Sequence, residues 1–370
     1  MPCLSPYVKR NPNYGLQYIG LNYLKDCSSQ MLSIPCGHCP SCIAVRQMYI
    51  VQRVQMEAFY NHLFMLTLTY NNEHLPHFIV GDYDIPYADM RDLVLMFKNI
   101  RADNVISRPF RYAAVSEFGG LKGRPHFHAL IMLPRYESDT FSDCLNLQSE
   151  LYPIFLHYWR KNVGSRSHPV YEPLCTYVRK IIRHRLRSNY DLHYVNPSLT
   201  SNGVSDAAFY VMKYMLKDSD RAVRLQQALH LNYDYSTYRS IWDTVKPKAQ
   251  FSLGFGLNAK VTSNKPIKMD FDSRIIDYLH KCVVDTPSGS PYPFFFSPDS
   301  GLSFPLAPYY RKIPQVFSLM DAHDIFFNAS DDFAPQKSSM VVEKQFNDFL
   351  TKRSLVQTDD YSDFLSDFYD

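Results

Sequence analysis

Two histidines separated by one hydrophobic residue are the first candidates for chemistry in this chain. In the run HFHALIML the two-residue period of a β-strand places His126 and His128 on one face and Phe127 on the other. The two imidazoles then lie about 7 Å apart along the strand. Such a pair can chelate a metal ion, although His-x-His also arises by chance in a chain with 13 histidines. The spacing therefore predicts a metal site that needs a further ligand.

Glu117 is the candidate for that ligand. It lies nine residues before His126, across a predicted hairpin loop. Two imidazoles and one carboxylate leave open positions for phosphate oxygens, which favours a catalytic Mg²⁺ or Mn²⁺ over a closed structural site. The alternative is that Glu117 is only a solvated strand end.

A second candidate group is a pair of tyrosines in a predicted helix. The run SDAAFYVMKYMLKD starts with a capping Ser205 or Asp206 and continues with helical spacing. Tyr210 and Tyr214 share one face at i and i+4, and Lys213 lies one turn from Tyr210. Both hydroxyls can visit one site. The alternatives are aromatic packing for the tyrosines and a solvated position for the lysine.

Three closely spaced cysteines form a third group. Cys36, Cys39 and Cys42 in IPCGHCPSC favour a metal over disulfides. A tetrahedral structural Zn²⁺ needs a fourth ligand, with Cys3 as the first candidate and His38 as the second. An iron-sulfur cluster uses similar spacing, but its C-x3-C-P continuation is absent. Free thiols are the remaining alternative.

Charge is unevenly distributed along the 370 residues. Residues 320–370 carry four basic and eleven acidic side chains, so the remainder carries a net charge of +10. A basic body suits a polyanionic partner such as nucleic acid. One basic stretch, near Tyr177 and Tyr190, is predicted either to line a single-strand groove or to form a solvated helix face. Its residues are Arg179, Lys180, Arg183, Arg185 and Arg187.

The elements that must position these groups follow from the apolar periodicity. The predicted helices cover about 43–62 and 86–101, and a mainly helical region covers about 146–187. The predicted strands are Leu63 to Tyr70, Tyr112 to Phe118 and His126 to Leu133. The loop GGLKGRP, with three glycines and a proline, predicts that the last two strands form a hairpin.

Several classes of protein are disfavoured by missing patterns. The chain has no run of about 18 apolar residues and no signal-peptide layout, so we expect no membrane partner and a cytosolic location. It has no Gly-x4-Gly-Lys-Ser/Thr motif, so we expect no nucleoside triphosphate site and no helicase motor of its own.

In chain order, three motifs resemble those of rolling-circle replication initiators of the HUH endonuclease superfamily, where HUH means His, hydrophobe, His. They are LFMLTLTY, GRPHFHALIML and FYVMKYMLK. The Tyr-x-x-Lys-Tyr form is similar to the two-tyrosine class. IPCGHCPSC and PLAPYYRKI further resemble the replication proteins of gokushovirus-like microviruses.

The resemblance implies an α+β fold built on a central antiparallel sheet with helices on one side. Residues 1–55 would form a Cys-rich zinc-binding segment and linker helix, residues 56–260 the HUH endonuclease domain, and residues 261–370 an accessory region with an acidic tail.

The resemblance also implies an activity. Tyr210 or Tyr214 would attack single-stranded DNA at the origin, form a 5′-phosphotyrosine and leave a 3′-hydroxyl primer. A host helicase and polymerase would act with the protein in the bacterial cytoplasm. The alternatives are an HUH transposase or plasmid initiator, and a non-catalytic single-stranded DNA-binding protein.

Overall fold

The computed structural model describes most of the chain, with gaps that matter for the predictions above. The described residues are 7–10, 31–34, 40–81, 83–119, 123–175, 180–182, 185–187, 190–196, 220–264, 267–284, 294–296, 303–311 and 313. None of the described helices combines the length and apolarity needed to cross a membrane.

The described residues form an α+β protein. The helices are α1 (Pro40–Ala58), α2 (Met90–Ala102), α3 (Phe141–Tyr158), α4 (Asp220–Asn232), α5 (Tyr235–Val245), α6 (Ser273–Val284) and α7 (Pro308–Arg311). The strands are β1 (Tyr7–Arg10), β2 (Met31–Ile34), β3 (Asn61–Thr69), β4 (His77–Val80), β5 (Tyr83–Pro86), β6 (Arg111–Phe118), β7 (Pro125–Pro134), β8 (Arg160–Asn162), β9 (Tyr171–Pro173), β10 (Lys180–Ile182), β11 (Arg185–Arg187), β12 (Tyr190–Tyr194), β13 (Ala249–Phe251), β14 (Lys260–Asn264), β15 (Ile267–Asp270), β16 (Phe294–Phe296) and β17 (Ser303–Pro305).

These elements divide between two compact units. One unit contains residues 50–272, including residues 50–58 of α1. The other contains the described elements before residue 50 and after residue 272.

A five-stranded antiparallel sheet forms the centre of the first unit. Its order is β12-β3-β7-β6-β13. The long strands β3 and β7 pair over nine residues, and β6 pairs with β7 over eight. The prediction of a hairpin across GGLKGRP is confirmed by the β6–β7 pairing.

Apolar side chains cover both faces of this sheet. Alternate residues of β3, including Phe64 and Leu66, pack with α2 and α3, while Leu63 and Met65 pack with residues 50–58 of α1. Each fully buried Phe or Leu contributes about 1.5–3 kcal/mol. The expectation of helices on one side only is wrong. The central strands are apolar on both faces, and a second layer is needed to cover the second face.

Side-chain caps fix where the helices of this unit begin. Asp89 caps α2 by accepting a hydrogen bond from the backbone N–H of Arg91. Thr140 and Asp143 form a capping box at the start of α3. These caps set the positions from which α2 and α3 cross the sheet.

The region predicted as mainly helical over about 146–187 is corrected by the structure. Helix α3 ends at Tyr158, and short strands follow it. The described parts of the basic stretch are β10 and β11, which pair antiparallel with Lys180 opposite Arg187. β-Branched Ile181 and Ile182 and the polar–apolar alternation Arg-Leu-Arg favour strands over a helix.

Candidate metal centre

The sheet register brings the three predicted metal ligands together. Glu117 on β6 lies opposite His126 on β7, and Thr67 on β3 lies opposite His128. Because side chains alternate along a strand, His126 and His128 share the face of Leu130 and Met132. Among the described residues, Glu117, His126 and His128 form the group of three that could hold a metal ion, with their ligand atoms within 4.8 Å of one another.

The distances within this triad are short. The Nε2 atom of His126 lies 2.5 Å from Oε1 of Glu117, and the Nε2 atom of His128 lies 3.1 Å from the same oxygen. The two rings meet edge to face, with centroids 4.9 Å apart. Two imidazole nitrogens and one carboxylate therefore point at a common centre.

Hydrogen bonds on the far side of each ring orient the two imidazoles. His126 Nδ1 lies 3.0 Å from the carbonyl oxygen of Arg124. A carbonyl only accepts, so Nδ1 carries the proton and donates it. His128 Nδ1 lies 3.1 Å from the hydroxyl of Thr67. Both contacts direct Nε2 towards the centre, as outer partners of metal-bound histidines do.

Hydrogen bonds within the triad shift the pKa values of Glu117 and His126 in opposite directions. Burial opposes ionisation of Glu117, but the hydrogen bonds from His126 and His128 outweigh it and hold the pKa of the carboxyl below its ordinary value. Burial likewise works against a charged His126, yet the bond to Glu117 raises the pKa of that imidazole. An ionised carboxylate thus faces the two ring nitrogens.

Arg124 connects the triad to the end of β3. Its guanidinium donates to the backbone oxygen of Tyr70, with Nε at 3.1 Å, and to the side chain of Asn72 at 2.7 Å. Gly119 leaves room for this packing, because a Cβ there would come within 3.2 Å of the His126 ring and 3.1 Å of the Arg124 oxygen. Thr67 and Arg124 were not predicted, although both lie in the motifs that carry the resemblance.

The donor set fits a divalent metal ion. Imidazole nitrogens and a carboxylate are common ligands for such an ion, and three protein ligands leave positions open for substrate oxygens. Glu117, His126 and His128 would hold the ion.

The other predicted site residues lie largely outside the described residues. This is so for the two tyrosines and the lysine of the predicted helix, for Cys3, His38, Cys36 and Cys39, and for Arg179 and Arg183. The backbone of Cys42 lies in α1, that of Lys180 in β10, and those of Arg185 and Arg187 in β11, but their side chains are not described.

The fold and triad together define a class: an antiparallel α+β protein with a His-x-His and carboxylate cluster on its central strands. Residues 63–219 match the family model described as Replication-associated protein ORF2/G2P. The chain is also 23% identical over 316 residues to Replication-associated protein ORF4 of Chlamydia phage 1, covering 80% of this chain and 67% of that protein. No solved structure matches the chain at a significant level. The two matches support a microvirus replication initiation protein, as the sequence resemblance predicted.

Proposed function

We propose that this protein is an HUH endonuclease that nicks and rejoins single-stranded DNA at a phage replication origin. The observation that carries the proposal is the convergence of Glu117, His126 and His128 at one centre. The match of residues 63–219 to replication-associated proteins supports it, since that segment spans both the triad and the predicted tyrosines.

The proposed reaction is a phosphoryl transfer to a tyrosine. A phenol is a weak nucleophile at neutral pH, with an ordinary pKa of about 10. When bound, the divalent ion would polarise the scissile phosphate and stabilise the charge that develops on it. The oxygen of Tyr210 or Tyr214 bonds to phosphorus, its proton is lost, and the P–O3′ bond breaks. The products are a 5′-phosphotyrosine and a free 3′-hydroxyl.

Tyr210 and Tyr214, at positions i and i+4 of the predicted helix, would allow repeated rounds of nicking. One holds the old 5′ end while the other attacks the regenerated origin, and the reverse transfer rejoins the strand without ATP. Lys213 would orient the phosphate. The 3′-hydroxyl would prime a host polymerase in the bacterial cytoplasm, with a host helicase unwinding the duplex.

The domain limits and the structural zinc belong to the same proposal. Residues 56–260 would be the HUH endonuclease domain, between a cysteine-rich segment of residues 1–55 and an accessory region of residues 261–370. Cys36, Cys39 and Cys42 with Cys3 would hold one Zn²⁺. The basic residues of β10, β11 and their neighbours would contact DNA.

A covalent-adduct assay tests the activity. End-labelled single strands tiled along the genome that encodes the protein are incubated with it and Mn²⁺, and adducts are separated under denaturing conditions. We expect one strand to give an adduct. Tyr210→Phe/Tyr214→Phe should abolish it while DNA binding persists, because only the nucleophilic oxygens are removed. Each single variant should still cleave.

The controls separate an enzyme from a binder. His126→Ala/His128→Ala should bind DNA but give no adduct at any Mn²⁺ concentration. If the wild-type protein binds the labelled strands but forms an adduct with none of them, it is a non-catalytic single-stranded DNA-binding protein. An adduct that survives the double tyrosine change would refute the assignment of the nucleophile.

A further inference from the structure

The β8–β9 hairpin, which comprises residues 160–173, presents basic and apolar side chains to solvent. Val163, Val170 and Tyr171 are 48%, 55% and 47% exposed. The acidic residue of the hairpin, Glu172, lies 3.0 Å from His74. The basic side chains are Arg160, Lys161 and Arg166. Exposed apolar and cationic groups on one short element are typical of a surface that binds a partner.

The tip of this hairpin is held in one conformation by its own hydrogen bonds. The Asn162 side-chain oxygen accepts from the backbone N–H groups of Gly164 and Val170, both at 3.0 Å. Ser165 Oγ accepts from the N–H of His168 at 3.0 Å. Gly164 permits this closure, since a Cβ there would lie 2.3 Å from the His168 oxygen. A preformed tip loses little conformational entropy on binding.

The root of the hairpin is attached to the edge of the sheet that carries the triad. Buried Trp159 donates from its indole nitrogen to the Thr69 oxygen at 2.9 Å, and Thr69 pairs with His126. The Asn71 N–H donates to the Leu174 oxygen at 2.6 Å. Arg124 donates to the carbonyl of Tyr70, the residue between Thr69 and Asn71. The hairpin and the metal ligands therefore share one junction at the end of β3.

One face of the hairpin combines an aromatic ring with a cation. The Arg160 guanidinium lies 4.3 Å from the centroid of the Tyr171 ring. In the register, Tyr171 lies opposite Asn162 and Lys161 lies opposite Glu172. Arg160 and Tyr171 therefore share one face, while Lys161 lies on the other. Aromatic rings next to cations bind single-stranded nucleic acid by stacking on bases and neutralising phosphates.

We propose that the β8–β9 hairpin is an arm that binds the single-stranded DNA substrate next to the metal centre. Tyr171 stacks on an unpaired base at one face of the hairpin, while Arg166 at the tip and Lys161 on the second face contact phosphates of the DNA strand that passes around it. The choice of DNA as the occupant rests on the proposed function. Two observations support DNA as the occupant: the basic charge of the hairpin and its attachment beside Thr69. A DNA strand bound by the hairpin would then pass next to Glu117, His126 and His128.

Binding measurements without divalent metal test the arm separately from cleavage. The titration uses fluorescently labelled single strands, both from the origin-containing genome and of random sequence, at several salt concentrations in EDTA. Lys161→Ala/Arg166→Ala should weaken binding to both strands and lower the slope of log K against log salt by about 1.4, for two lost phosphate contacts. Tyr171→Ala should weaken binding on the order of tenfold, and Tyr171→Phe should restore it.

A charge-matched control comes from elsewhere on the same unit. Lys98→Ala/Arg239→Ala removes two exposed cations, one from α2 and one from α5, and should leave the salt slope unchanged. All variants should keep the wild-type melting temperature, because the changed side chains are exposed.

The outcomes of the two tests are separable. Weaker binding by the hairpin variants supports the arm whether or not any adduct forms. Wild-type affinity and salt slope in Lys161→Ala/Arg166→Ala, or no single-strand binding by the wild type, overturn the arm. If an adduct forms while the hairpin variants bind like the wild type, the nicking activity stands and the arm is refuted.

Discussion

The contact between Thr67 and His128 predicts a specific loss of metal affinity. Thr67→Val keeps the shape of the side chain and removes the hydroxyl that lies 3.1 Å from His128 Nδ1. The ring then loses the partner that fixes its tautomer and orientation. We expect Thr67→Val to weaken Mn²⁺ binding and Thr67→Ser, which keeps the hydroxyl, to bind nearly as the wild type does.

The size of this effect follows from the burial of His128. Its side chain is 6% exposed, so water cannot readily replace the lost hydroxyl. Loss of an outer partner of a metal ligand lowers metal affinity about 10–100-fold, or about 1.4–2.8 kcal/mol. A drop of at least about tenfold in Mn²⁺ affinity is therefore expected for Thr67→Val.

Electron paramagnetic resonance of free Mn²⁺ measures this affinity directly. The protein is titrated with Mn²⁺, and the signal of the unbound ion gives the dissociation constant. His128→Ala sets the limit for complete loss of one ligand. A dissociation constant for Thr67→Val within twofold of the wild type, with His128→Ala strongly impaired, would refute the orienting role of Thr67. Circular dichroism spectra of the Val and Ser variants that match the wild type at the titration temperature exclude unfolding as the cause.

Two further predictions concern stability. Asp139 is 6% exposed and accepts two hydrogen bonds from Arg108, which hold the pKa of the carboxyl well below its usual range. Asp139→Asn should therefore cost about 3–5 kcal/mol at neutral pH by chemical denaturation, because it leaves the Arg108 charge without its partner. A carboxyl whose pKa is lowered by folding stabilises the folded protein at pH values above its unfolded pKa of about 3.9. The difference in unfolding free energy between the wild type and Asp139→Asn should therefore shrink as the pH falls below about 4. A difference that does not change with pH would contradict the ion pair. Elemental analysis should find about one zinc per chain, and both the zinc content and the melting temperature should fall when Cys36, Cys39 and Cys42 are changed to Ser. Iron in the wild type would instead indicate an iron-sulfur cluster. If the wild type holds neither metal and the variants melt at its temperature, the cysteines are ordinary thiols.

The centre of the sheet could be predicted because its patterns are local. The segments Tyr112 to Phe118 and His126 to Leu133 are largely apolar, which predicts two strands. The glycines and proline between them predict a hairpin loop. The edge strand β13 was not predicted. It has three residues, too few for a period, and its place is set by distant backbone contacts, such as the Ser116 N–H donating to the Lys248 oxygen.

The triad could be predicted for the same reason, whereas its supports could not. Glu117 and His126 face each other across one short hairpin, so spacing alone places them together. Thr67 is 61 residues from His128 in the chain, and only the pairing of β3 with β7 reveals the contact. Arg124 lies in a recognised motif, but its bonds to Tyr70 and Asn72 depend on how β3 ends.

Register is the property that joins the fold to the site. A slip of one residue between β7 and its neighbours would turn His126 and His128 towards the core occupied by Phe127 and Ala129. Arg124 opposes such a slip, because its guanidinium binds the carbonyl of Tyr70 at the end of β3 while its own carbonyl binds His126. The same residue thus fixes the strand pairing and one ligand orientation. The β8–β9 hairpin reaches that junction through Asn71. Strand pairing, ligand geometry and the proposed DNA arm therefore depend on one short turn at the end of β3.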